Sequence, residues 1–242
     1  MKALAFNSSP NMDKGGTALI LTPFLEGMKK AGAEVELFYV QKLNIEPCIA
    51  DKWCWIKTPG RCSQKDDMDM LYPKLARCDV IVLGTPVYLD GMTGTMKVLI
   101  DRFIPLLQPF VEIRDGHCRH PLREDVKQGK KVVLISVCGL PEMDNFDPLV
   151  SHVDAICNNF GWEFAGALLR PYAVALPQLK QLGLPVDEVY EAARDAGQQL
   201  AQNGKMGSQA SVTVGRGLVS QQEYIQHRNE QFKRELAALA DE

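Results

Sequence analysis

The sequence predicts an α/β fold in which five parallel strands form one sheet and helices cover both of its faces. Three observations carry that prediction. Short apolar, β-branched runs recur along the chain, separated by segments of helical periodicity. Two of the runs, Val80–Gly84 and Lys130–Val137, hold too few polar residues to present a face to water, as strands buried in a parallel sheet must. The segments after the strands gather Ser, Asn, Gly, Thr and Pro, which turn a chain sharply or bind at its surface.

Taken in order, Lys2 to Phe6 is the first strand, and Asn7-Ser-Ser-Pro-Asn-Met-Asp-Lys-Gly-Gly-Thr17 is the loop after it. A helix is predicted from Thr17 to Ala31, with Leu19, Ile20, Phe24 and Met28 towards one face. Glu34 to Val40 is the second strand. Residues 42–66 then interrupt the alternation with a loop longer than a compact domain usually carries. Asp66-Asp67 caps a helix through Cys78, which accommodates Pro73. The third strand ends at Thr85-Pro86, where proline turns the chain out of the sheet in a defined direction. A helix from Thr93 to Leu107 comes next, placing Lys97 and Arg102 on an exposed face. Gln108 to Gly129 reads as polar and irregular. The fourth strand ends at Cys138-Gly139-Leu140-Pro141 and leads to a helix over Phe146–Phe160. Glu163–Arg170 is the fifth strand and Val186–Asn203 the helix after it. The remaining residues, 205–242, form an arm whose final helix opens with a Ser220/Glu223 capping box.

Composition narrows the function. With 242 residues the chain can bury a full core, and its net charge of −3 gives no reason to expect nucleic acid. No apolar run reaches the length of a membrane span, and Met1–Phe6 is too short and too soon polar for a signal peptide. Seven cysteines, an odd number, favour reduced thiols in a cytoplasm over a disulfide framework.

Two loops carry the chemistry. The segment after the first strand is a phosphate-binding arrangement: amides at a helix start lack partners, the helix dipole favours an anion, and Gly15-Gly16 lets the backbone approach closely. Ser9 and Thr17 add hydroxyls. The spacing matches neither a Walker loop nor Gly-x-Gly-x-x-Gly, and an ordinary strand–helix turn capped by Thr17 is the alternative. After the third strand, Thr85-Pro86-Val87-Tyr88 sets an aromatic ring on a stiff turn. In the strand order 2-1-3-4-5, strands one and three are neighbours at the switch point, so these loops meet. A phosphate loop beside an aromatic loop fits a flavin mononucleotide.

These motifs resemble the NAD(P)H-dependent FMN reductases of the flavodoxin-like superfamily, especially their iron–sulfur flavoprotein branch. The resemblance covers roughly residues 1–203. It rests on Ser-Ser-Pro…Gly-Gly-Thr17, on Pro-Cys48…Cys54-Trp…Pro-Gly-x-Cys62…Asp66-Asp67-Met68, and on Thr-Pro-Val-Tyr88…Met-Lys97…Asp-Arg102. It implies a flavodoxin-like domain over 1–204, a cysteine insertion over 42–66, and FMN as cofactor. The resemblance places the phosphate on Ser9, Thr17 and the loop amides, with Asn11, Lys14 and Gly16 alongside. Thr85, Pro86, Val87 and Tyr88 would face the ring, and Cys138-Gly139 would supply a third wall. The family's loop usually has Arg where this chain has Asn11, and Asn where it has Gly16, so anion binding rests more on amides and Lys14.

The iron–sulfur members place cysteines at positions matching 48, 51, 54 and 62, whereas this chain has Asp51. Cys48, Cys54 and Cys62 with Asp51 are one ligand set for a cluster. Soft sulfide-bridged iron prefers four thiolates, which weighs against it. The other readings are a loop kept as a lid or subunit contact, with Trp53 and Trp55 packing there, and a zinc site. Cys78 and Cys157 read as packing residues, and His117 and His120 as solvated.

The implied function is an FMN-dependent oxidoreductase that takes hydride from NAD(P)H and passes electrons to a quinone, flavin, metal or protein. No residue stands out as general acid or base, because the flavin performs the chemistry. A second function class is an electron-transfer iron–sulfur flavoprotein working between protein partners. A scaffold that has lost its flavin is a third. A homodimer or homotetramer is expected, with no nucleic-acid or membrane partner.

Overall fold

The computed structural model describes residues 1–240; Asp241 and Glu242, the end of the expected arm, lie outside the described residues. Strands β1 (Lys2–Asn7), β2 (Glu34–Tyr39), β3 (Val80–Pro86), β6 (Lys131–Val137) and β7 (Glu163–Arg170) form one sheet. Its order is β2-β1-β3-β6-β7 and every pairing is parallel, the flavodoxin-like arrangement that the sequence implies. The small strands β4 (Glu112–Arg114) and β5 (His117–Arg119) pair with each other instead.

Successive side chains of a strand point to opposite faces, so each central strand feeds two cores. Ala3, Ala5, Val80, Val82, Val133 and Ile135 pack beneath α1 (Gly16–Lys30) and α7 (Val186–Asn203). Leu4, Phe6, Ile81, Leu83, Val132 and Leu134 pack beneath α3 (Met68–Arg77), α4 (Gly94–Asp101) and α5 (Asp147–Phe160). Helices α1 and α7 cross with almost no gap. A Cβ on Gly27 would stand 1.9 Å from the carbonyl oxygen of Arg194, and one on Gly197 would stand 1.9 Å from that of Phe24.

Several expectations give way. The segment read as irregular contains the β4–β5 hairpin, turned by Asp115 and Gly116 at φ +51° and +75°, the left-handed pair that such a turn requires. The helix after β3 stops at Asp101, and a 3-10 turn over Ile104–Leu106, with Pro105 inside it, completes the connection. Arg102 is not on an exposed face. Its side chain is 1% exposed and forks onto the Asp66 carboxylate, which lies on the segment leading into α3.

Three short helices add to those expected from the sequence: α2 (Trp53–Ile56), α6 (Leu176–Gln181) and α8 (Ser208–Gly215). Helix α8 lies within the expected arm, yet buries Ala210 and Val214 in the core under α7. The last helix, α9 (Gln221–Ala240), opens on the Ser220/Glu223 capping box, with Ser220 Oγ accepting from Glu223 N–H and the Glu223 carboxylate accepting from Ser220 N–H. Among the described residues no helix is long and apolar enough to cross a membrane.

Candidate functional site

The loops after β1, β3 and β6 meet at the carboxyl edge of the sheet, because Asn7 lies opposite Gly84 and Pro86 opposite Val137. Asn7 folds the first loop: its Oδ1 accepts from Ser9 N–H at 2.9 Å and its Nδ2 donates to the Met12 carbonyl at 3.1 Å. Ser8 ties this loop to its neighbour. Its N–H and hydroxyl both donate to the Gly84 carbonyl, and its Oγ accepts from the Thr93 hydroxyl at 2.8 Å. Val87 N–H then donates to the Val137 carbonyl at 2.8 Å, which joins the second loop to the third.

Within this frame the start of α1 is left open. Its N-cap is Gly15, which offers no side-chain cap, so the first amides of the helix keep their donors free of a capping oxygen. Thr17 is buried, and its Oγ1 has no hydrogen-bond partner among the described residues. A buried hydroxyl without a partner is costly. A Cβ on Gly15 would come within 2.3 Å of Ser9 Oγ, so only glycine leaves the loop backbone this close to the serine hydroxyl. Open amides and an orphaned hydroxyl at a helix N-terminus suit the phosphate of a bound nucleotide. Asn11 and Lys14 lie exposed beside them, and Gly16, with no Cβ, faces Ala173 and Val137.

The residues of the second loop divide by role. Thr85 is buried; its hydroxyl donates to the Pro86 carbonyl and accepts from Thr93 N–H, so it braces the loop from within. Tyr88 is half exposed and opens a tight turn closed by paired bonds with Gly91. The two residues between, Leu89 and Asp90, hold φ of +44° and +63°, a strained backbone for non-glycine residues that presents Leu89 fully to solvent. In the third loop Cys138 is buried and Gly139 exposed. Cys138 donates its N–H to the Arg170 carbonyl, accepts from Ala173 N–H at its carbonyl and from Leu140 N–H at its sulfur. Asn7 and Ser8, which shape the site, do not stand out in the sequence. A serine that braces and a serine that binds read alike there.

The cysteine loop is a separate constellation. Cys48, Cys54 and Cys62 line one cavity of about 190 Å³ with Asp51, Trp55 and Ile104. All three are free thiols. Burial pushes the Cys54 thiol up to about 11, with Cys62, Cys48 and Asp51 adding to the effect, so the groups stand close enough to resist one another's charge. Close as they are, among the described residues no three His, Cys, Asp or Glu side chains are arranged to hold a metal ion. Asp51 is already engaged, one oxygen accepting from Trp53 N–H at 3.1 Å and the other from the Ser63 hydroxyl. Those bonds, the Ser63 one first, hold its carboxyl below the usual carboxylate range. As arranged, these four residues do not fit an iron–sulfur cluster.

Beneath that cavity the Arg102–Asp66 pair roots the loop, since Arg102 also donates to the Glu46 carbonyl. Burial disfavours both charges, but the hydrogen bonds between them prevail, raising the guanidinium further and lowering the carboxyl.

Residues 1–142 match the family of NADPH-dependent FMN reductases. The chain belongs to that family. It is similar to an iron–sulfur flavoprotein of Archaeoglobus fulgidus, 42% identical over 102 residues, which is 42% of this chain and 48% of the relative. An iron–sulfur flavoprotein of Methanocaldococcus jannaschii is 34% identical over 106 residues, 44% of this chain and 53% of the relative. The chain spans about half the length of the curated relatives it matches. Among solved structures, a flavone reductase superposes with a TM-score of 0.56 at 21% identity, over 84% of this chain and 64% of its own. An FMN-dependent NADH-azoreductase of Bacillus anthracis, solved with FMN, gives 0.56 at 13% identity, over 83% and 99%. At such identities these two matches speak for the fold alone.

Proposed function

We propose that this FMN reductase family member holds FMN at the carboxyl edge of its sheet and oxidises NAD(P)H for a small or protein acceptor such as a quinone, flavin or metal. The observation that carries this reading is the buried, unpartnered Thr17 hydroxyl at the open start of α1. The α1 amides, Thr17 and Ser9 would receive the phosphate, with Asn11, Lys14 and Gly16 at its margin. The Pro86-Val87-Tyr88 turn and Cys138-Gly139 would flank the ring, and Thr85 holds that turn in place. Bound flavin supplies the hydride-accepting chemistry. The protein's part is to orient the ring and leave one face open to nicotinamide, so no general acid or base is assigned.

The electron-transfer alternative draws support from the names of the relatives, but Asp51 is bonded within its own loop and offers no free fourth ligand. The seven free cysteines suit a reducing, cytoplasmic compartment. A homodimer or homotetramer is supported by apolar side chains left uncovered on α9, among them Ile225, Phe232 and Leu236.

Titration of the apoprotein with FMN, followed by NADPH addition, tests the central reading. Quenched flavin fluorescence on binding, and bleaching of the oxidised flavin's visible band on reduction, are expected. Failure to bind FMN at any accessible concentration would overturn it.

A further inference from the structure

We infer that Tyr172 and His227 are positioning residues for the flavin site, through which helix α9 braces the loop after β6. The inference rests on the FMN reading for its consequence, though the brace itself is a property of the chain.

Tyr172 is buried with φ of +50°, a left-handed backbone that a bulky residue keeps only when its surroundings enforce it. Three contacts enforce it. The hydroxyl lies 2.8 Å from His227 Nδ1, and the ring meets Tyr224 edge-on at 4.6 Å and 86°. The backbone N–H donates to the Leu140 carbonyl at 3.1 Å. The first two contacts come from α9. The third lands on the loop that carries Cys138 and Gly139.

The bend at Tyr172 also directs the next residue. Ala173 N–H returns to the Cys138 carbonyl, and Ala173 Cβ stands 3.4 Å from where a Cβ on Gly16 would be. One strained residue therefore sets the distance between the third loop and the phosphate loop. A second tie runs independently from the same helix: Gln221 Nε2 donates to Glu142 Oε1 at 2.7 Å, and Asn145 holds the Glu142 carbonyl. Helix α9 thus reaches the loop directly at Glu142 and, through Tyr172, at Leu140, on either side of Pro141. A helix that merely extended the chain would need neither contact.

The test uses the full chain with Tyr172→Phe, His227→Leu and the double variant. His227 is exposed on a surface helix, so its replacement leaves the core intact. Each single change is expected to weaken FMN binding about tenfold, and the double change no further than the worse single one, because the two side chains act as one unit. Amide exchange over residues 138–142 of the apoprotein reads the brace without flavin and should quicken in His227→Leu. Binding within about twofold of the unaltered chain, or losses that simply add, would overturn the positioning role. Unchanged exchange would overturn the brace. If the unaltered chain binds no FMN while exchange still quickens, the brace stands and the flavin assignment falls.

Discussion

Arg102 and Asp66 meet fork to fork, Nη1 to Oδ2 at 2.6 Å and Nη2 to Oδ1 at 3.2 Å, with both side chains 1% exposed. The same guanidinium reaches the Glu46 carbonyl, so one buried cation joins α4 to both ends of the cysteine loop. The geometry is bidentate, which a lysine cannot reproduce.

Removing one partner of a buried pair strands the other charge. Arg102→Ala should therefore destabilise the protein by about 3–5 kcal/mol, measured as the shift in urea unfolding. Arg102→Lys should recover only part of that. A loss below about 1 kcal/mol, the level of an exposed pair, would show that water reaches the site.

The pair also sets an acid limit. Burial raises the Asp66 carboxyl, but Arg102 and the N–H groups of Glu46 and Met68 outweigh it, and the folded-state pKa is depressed. A depressed carboxyl contributes stability above its unfolded pKa, about 3.9 for aspartate, and loses it as pH falls through the lower folded value. The native chain should hold this contribution from neutral pH down to about pH 4. In Arg102→Ala only the Glu46 and Met68 N–H groups still oppose the desolvation, so the acid limb of unfolding should move to higher pH. An unmoved limb in a pH series of thermal melts would refute the assignment.

Thr17 offers the opposite trade. Its buried hydroxyl has no partner among the described residues, so Thr17→Val, nearly the same shape, removes a costly unpaired group. The apoprotein should gain about 1 kcal/mol while FMN binding weakens about tenfold or more, the worth of a bond to a charged group. Calorimetry of the apoprotein and a fluorescence titration measure the two effects separately. Stability and affinity falling together would mean that Thr17 serves the fold.

Legibility in the sequence depends on the range of each interaction. The five sheet strands and their order were legible because burial on both faces writes itself into consecutive residues, as in Val80–Leu83 and Val132–Ile135. The loop after β1 stands out in the sequence as a candidate anion site because its amides and hydroxyls lie within a few residues, and the open start of α1 with the unpartnered Thr17 hydroxyl is consistent with that reading. Arg102 was not: its partner is 36 positions earlier, and an arginine on a helix reads as a surface charge until that partner is known. Helix α8 was hidden for a related reason, since only Ala210, Val214 and Gly215 of its eight residues are buried. The Asp115-Gly116 turn carried a hairpin signal, but the polar residues around it masked the strands.

Gly27 and Gly197 show the same limit in the core. Each sits mid-helix, where glycine normally costs stability, and nothing local explains it. The explanation is the crossing of α1 and α7, where either added Cβ would meet a backbone carbonyl at 1.9 Å. Gly197→Ala should push the helices apart and cost about 3 kcal/mol, at the upper end for overpacking, despite alanine's better helix propensity. A stabilised variant in chemical denaturation would mean that the crossing is looser than described.

Asp51 accepts from Trp53 N–H at the start of the one-turn helix α2 and from the Ser63 hydroxyl, so the loop has a network of its own at the position where the resemblance to iron–sulfur flavoproteins implies a fourth cysteine. Cys54 is pushed up to about 11, chiefly by burial, so almost none of it is thiolate at neutral pH. Alkylation at pH 7 should then label exposed Cys118 well before Cys54, as peptide mass mapping can track. Protein purified without oxygen should carry little iron or acid-labile sulfide. Asp51→Cys frees the loop from its carboxylate bonds and adds the fourth thiolate that soft iron prefers. It should gain iron and broad visible absorbance on reconstitution. Stoichiometric iron and sulfide in the unaltered chain would instead mean that Asp51 leaves its present partners to serve as a ligand, and with it the electron-transfer reading would become the stronger one.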